Sequence, residues 1–187
     1  MVEKIIQDVL NNHRDYHVMN QALDYYLELI TDKYSTMSFS ELKRHLISEF
    51  NYEKRKEYKS SELVGFKVKV GDICYIDFGK AYINEAGYQH FGVIVSLNNS
   101  KAFIVPMTSN STVYEQSYCS KTYTCGKKHL MRLGIVAGLN KKSVLFLNDA
   151  KFINTARIIE VKGYIDPTGD LFREIKNRLK ECINIDN

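Results

Sequence analysis

No glycine and no proline occurs between Met1 and Val64; all ten glycines and both prolines of the 187-residue chain come later. Glycine supplies backbone conformations that other residues avoid, and proline stops helices. A stretch of 64 residues with neither reads as helix joined by short polar turns. The apolar positions agree. Ile5, Ile6, Val9 and Leu10 recur at helical spacing, as do Met19, Leu23, Tyr26, Leu27 and Ile30. Ser38 stands three residues before Glu41, a capping-box spacing, and Leu42, Leu46, Ile47 and Phe50 follow. The highly charged run "NYEKRKEYKSSE" then reads as a solvated helix end or linker. The expectation is a helical N-terminal extension over residues 1–62.

The period changes at Gly65. In "FKVKVGDICYIDF", Phe66, Val68 and Val70 alternate before Gly71 interrupts, and the run from Ile73 to Phe78 continues as strand. "FGVIVSL" and "AFIVPMT" are continuous apolar runs separated by "NNSK", a hairpin signal. "HLMRLGIVAGL", "SVLFLND", "KFIN" and "ARIIEVKGYI" add further strands. One helix closes the chain, with Leu171, Phe172, Ile175, Leu179, Cys182 and Ile183 on one face and Asp166 or Thr168 as its cap. Many short strands followed by one helix predict an α+β domain over residues 63–187, built as a small β-barrel or strongly bent sheet.

No apolar run approaches the ~20 residues needed to span a bilayer, and the charged N-terminus lacks a signal peptide's apolar stretch, so a cytoplasmic protein is expected. The four cysteines, Cys74, Cys119, Cys125 and Cys182, are too scattered for a disulfide scaffold. The gap between Cys119 and Cys125, with His129 beyond, fits no common zinc knuckle, so neither metal nor cofactor is expected. Charge is unevenly distributed. Residues 1–64 carry nine Lys/Arg against eleven Asp/Glu, and residues 65–187 carry seventeen against eleven. The second part is therefore the candidate for a polyanionic partner.

Four pieces in order carry a resemblance: "VKVGDICYIDFG", "GYQHFGVIVS", "FIVPMTS" and "SVLFLNDAKFINTARI". Together they resemble the MazF/PemK family of toxin endoribonucleases, over roughly residues 66 to 183. The resemblance implies an SH3-like barrel with a C-terminal helix, preceded here by the helical segment, and a homodimer. It also implies a toxin–antitoxin function: cleavage of single-stranded RNA without a metal by the chain's own 2′-hydroxyl, giving 2′,3′-cyclic phosphate and 5′-hydroxyl ends. A cognate antitoxin, protein or RNA, would hold the toxin inactive. Carried over, the family's strand-two arginine falls on His90, the following proline on Phe91, and the catalytic threonine on Thr108, with Ser109 beside it. An acidic position falls on Asn148, next to Asp149, and the closing arginine on Arg157.

The Arg-to-His difference changes the chemistry. A guanidinium supplies charge but is a poor base, whereas an imidazole can take up or release a proton near neutrality. Thr108 can donate a hydrogen bond to a phosphate oxygen. On this reading His90 and Thr108 flank the scissile phosphate from adjacent strands. Taken alone, a histidine before a buried strand is more often a packing residue. Lys127, Lys128, His129 and Arg132 form a basic stretch that could contact phosphates, with His129 as an acid partner for His90 and Tyr118 and Tyr123 as stacking faces. Lys80 and Tyr82, in the loop "GKAYINEAGYQ", and Lys151 are further candidates for RNA contact. Two alternatives remain open: an RNA-binding module that does not cut, and a gyrase-poison-like toxin that binds a protein.

Overall fold

The computed structural model describes residues 2–11, 15–119, 122 and 125–183. These form two compact units, residues 1–43 and 44–187. The first contains α1 (Val2–Asn11) and α2 (Tyr16–Thr36), neither of which has a buried residue, and the start of α3 (Phe39–Arg55). Asp15 caps α2 by accepting from the His17 amide at 2.9 Å. At the start of α3 the capping box forms in both directions. The Ser38 amide donates to Glu41 Oε2 at 3.1 Å, and the Glu41 amide donates to Ser38 Oγ at 3.4 Å.

The second unit is built on an eight-stranded sheet: β1 (Asp72–Asp77), β2 (Gln89–Asn98), β3 (Lys101–Thr108), β4 (Ser117–Tyr118), β5 (Lys127–Gly134), β6 (Ser143–Phe146), β7 (Lys151–Asn154) and β8 (Ile158–Tyr164). The strand order is β4-β5-β6-β3-β2-β1-β8, with β7 paired to β3. The sheet is antiparallel except between β4 and β5. Strand β3 changes neighbour along its length. Lys101 to Ile104 face β7, whereas Met107 and Thr108 face β6. Among the described residues the path has two free ends, so the ladder is open and not a closed barrel.

Both faces are covered, which is why β2 and β3 read as continuous apolar runs. One face carries Ile73, Val93, Val105, Met107 and Leu145 and packs against Phe172, Ile175 and Leu179 of α5 (Asp170–Cys182). The other carries Cys74, Ile76, Ile94, Ile104, Ile153 and Ile158. Burial of each such side chain stabilises by about 1.5–3 kcal/mol. Gly92 is dictated by this packing, because a Cβ there would lie 2.5 Å from Ile104 Cγ2.

Three local expectations are corrected. Residues 66–70 belong to no strand of the described ladder: the Lys69 amide donates to Asp72 Oδ2 at 2.8 Å, and Gly71 turns at φ 92°. Neither Thr168 nor Asp166 caps α5. Gly169 occupies that position, while Asp166 accepts from Thr168 in the preceding turn. Ile183 lies past the end of α5 and is exposed. A short α4 (Ser111–Gln116), capped by Asn110, had no sequence signal strong enough to separate it from a loop.

Candidate functional site

The hairpin register brings the two main candidates together. Phe91 pairs with Met107 and Gly92 with Pro106, and His90 and Thr108 are the residues that adjoin this pairing at the end of the hairpin. On their outer edges both residues are paired: Ile76 pairs with His90, Thr108 with Val144, and Val144 with Arg132. The tight turn at Asn98–Lys101, with Asn99 at φ 52°, anchors the hairpin, although the register shifts between Ile94 and Ser96.

His90 is partly buried at the mouth of β2. Burial pushes its pKa below the ordinary histidine value; the Arg44 guanidinium acts in the same direction, and the Asp149 carboxylate opposes both. Asp149 is held by accepting from the Ala86 amide at 2.8 Å. Its neighbour Asn148, where the aligned acidic position falls, is exposed. Thr108 Oγ1 accepts from the Asn110 amide at 3.2 Å. Thr108 and Ser109 line a cleft of about 290 Å3 with Phe91, Met107, Lys141 and Ser143. Lys141 is a cation that sequence reasoning passed over; it stands in a loop without any spacing signal.

A larger cleft, about 380 Å3, lies along α3 and contains neither His90 nor Thr108; Ser48, Arg55, Asp77, Lys80 and Arg157 are among the residues lining it. His90 lines neither cleft; the smaller one is the better candidate because it holds the strand-end hydroxyls of Thr108 and Ser109. Asp77 lines the larger cleft. It is buried and accepts through Oδ1 from Ser48 Oγ at 2.9 Å, the Gly79 amide at 3.1 Å and Gln89 Nε2 at 3.3 Å. Nothing in the sequence ties Ser48 to Asp77, 29 residues later. The one available signal was a carboxylate ending an otherwise apolar strand.

The remaining candidates are dispersed. Lys80 is ion-paired with Glu49 at 2.6 Å, Tyr82 is 87% exposed, and Lys151 lies 5.8 Å from the Phe78 ring centroid. Arg157 Nη1 donates to the carbonyls of Asp77 and Phe78 at 3.4 and 3.2 Å. On β5, Lys127 bonds Gln116, and Lys128 and His129 are exposed. Arg132 donates to the Tyr114 carbonyl and to Ser117 and stacks on the Tyr114 ring. His129 belongs to a strand three places from β2 in the ladder. Tyr118 is half-buried under Arg178, 4.4 Å from its ring centroid, and Tyr123 lies outside the described residues. Among the described residues no group of three or more His, Cys, Asp or Glu side chains is placed to hold a metal ion, and no helix is long and apolar enough to cross a membrane.

No protein-family model matches the sequence, and no curated protein matches it. Solved structures with a similar arrangement include MazF toxins and mycobacterial endoribonucleases. MazF from Deinococcus radiodurans superposes with a TM-score of 0.48 at 13% identity, over 64% of this chain and 99% of that one. The Mycobacterium tuberculosis toxin MazF-mt6 gives 0.44 at 12% identity, over 62% and 99%. A mycobacterial endoribonuclease in complex with its cognate antitoxin gives 0.44 at 12% identity, over 64% and 97%.

Proposed function

We propose that this chain is a toxin endoribonuclease of the MazF/PemK kind, with an SH3-like sheet as its scaffold, that cleaves single-stranded RNA without a metal. The observation that carries the reading is the hairpin whose strand ends bear His90 and Thr108, with Thr108, Ser109 and Lys141 lining a cleft at that end. In the proposed step the RNA 2′-oxygen bonds to phosphorus and the P–O5′ bond breaks. His90 takes the 2′-hydroxyl proton and later returns it to solvent, and the departing 5′-oxygen is protonated from solvent. A histidine held below its ordinary pKa is neutral at pH 7, as a base must be. Thr108 donates its hydroxyl to a non-bridging oxygen. The preponderance of basic residues in the second unit, 22 Lys/Arg against 15 Asp/Glu, suits a polyanionic substrate. A cognate antitoxin and a homodimer belong to the same proposal.

The test is incubation of the purified protein with long single-stranded RNA in EDTA, followed by end-group analysis. Wild type is expected to leave discrete 2′,3′-cyclic phosphate ends. His90→Ala is expected to lose about 10²–10⁴-fold in rate, and Thr108→Ala about 10²-fold. RNA bound but left intact by wild type would replace this reading with a non-cutting RNA-binding module. Neither binding nor cleavage would point to a protein target.

A further inference from the structure

Attack on a phosphodiester places extra negative charge on the non-bridging oxygens, and a neutral imidazole and a neutral hydroxyl do not balance it. A cation is required, and His90 cannot be both neutral base and cation. Lys141, in the cleft with Thr108, offers a point charge without a planar fork, and three arginines of this unit are committed elsewhere. Arg132 is bound to Tyr114 and Ser117, Arg157 to the carbonyls of Asp77 and Phe78, and Arg55 to the carbonyls of Ala156 and Ile158.

We propose that Arg44, on α3, completes the phosphate-binding side of the His90–Thr108 site and contacts the scissile phosphate; the inference rests on the ribonuclease reading above. The residue immediately before His90 is bonded to Arg44 itself: Gln89 Nε2 donates to the Arg44 carbonyl oxygen at 3.3 Å. The neighbouring residues lock this placement. Tyr88 Oη meets His45 Nε2 at 2.5 Å, and Ser48 Oγ donates to Asp77, the register partner of Gln89. Helix α3 is thus fastened to the ends of β1 and β2 across three of its residues, and the Arg44 side chain is exposed. The lowered pKa of His90 agrees, because the Arg44 charge contributes to it. A guanidinium fork matches two phosphate oxygens. The strand supplies the base, and the helix supplies the charge.

The experiment compares wild type with Arg44→Ala and Arg44→Lys. The Gln89 bond uses the Arg44 main chain, so neither substitution removes it. Single-turnover RNA cleavage is expected to slow about 10²–10³-fold in Arg44→Ala, with RNA affinity reduced less than the rate and with partial recovery in Arg44→Lys. In parallel, an NMR titration of the His90 imidazole without RNA is expected to show its midpoint rising in Arg44→Ala, since a neighbouring positive charge has gone. Unchanged cleavage in Arg44→Ala overturns the proposal, and so does a loss that lies wholly in binding. An unchanged His90 titration overturns it as well, by removing Arg44 from the site. If wild type does not cut RNA, the ribonuclease reading itself fails and takes the catalytic role of Arg44 with it, whereas the titration alone still reports whether Arg44 stands at His90.

Discussion

His90 gives the site its expected pH response. Its folded pKa lies below the ordinary value of 6.5, chiefly through burial and secondly through Arg44. The unfolded chain therefore binds the proton more readily. The stability this group contributes is present above pH 6.5 and is lost as pH falls through the depressed folded value. Activity follows the same sign, because protonation removes the base. Single-turnover cleavage is expected to hold steady from pH 8 to below 6.5 and to fall only at more acid pH. A fall centred above 6.5 would mean that His90 is not the base. The hairpin that carries His90 and Thr108 at its strand ends was legible in the sequence, because two apolar runs joined by "NNSK" define it and a hairpin's turn sets its register. Asp149 was legible only as a neighbour of Asn148. Arg44 was not legible at all, since a polar contact between a helix and a strand 45 residues later leaves no local spacing.

At the scale of elements, the unexpected one is α3. Its apolar positions suggested the face that would be buried, yet Phe50 is 68% exposed, while His45 and Ser48 are buried. The helix is held by polar contacts: Ser48 to Asp77, His45 to Tyr88, and Arg55 to two main-chain carbonyls. A hydrophobic pattern identifies a helix by its period, but it does not show which face meets a sheet edge that ends in a buried carboxylate. The alternation at Phe66, Val68 and Val70 misled in a related way. Those side chains do pack into the cores, but the residues belong to no strand of the described ladder. Ser48→Ala is expected to cost about 1–3 kcal/mol, because Asp77 loses its shortest hydrogen bond inside the protein. Chemical denaturation measures this directly, and a change within about 0.5 kcal/mol would show that the remaining donors to Asp77 suffice.

For the whole molecule, the turn from helix to sheet was visible at Gly65, where glycine first appears and the period drops to two. The open sheet path was not visible, because strand order depends on which neighbour each strand chooses. Strand β3 takes three, β2 on one edge and β7 then β6 on the other. The contacts of α3 give a test at this scale. A chain of residues 61–187 is expected to melt roughly 5–10 °C below one of residues 38–187, because it lacks the hydroxyl at Asp77, the imidazole at Tyr88 and the guanidinium bonds of Arg55. Equal midpoints in a thermal scan would mean that α3 adds nothing to the fold.

The fastening of α3 also bears on how such chains can be recombined. A crossover at Gly65, where the sequence changes character, would hand the sheet to a new partner without the serine that serves Asp77 or the histidine that serves Tyr88. A crossover upstream of Ser38 would carry both along with the capping box that starts their helix. Shuffling of N-terminal segments is therefore permitted ahead of α3 and penalised inside it, and a chimaera assembled by eye at the glycine would inherit the strands but not the residues that hold their ends.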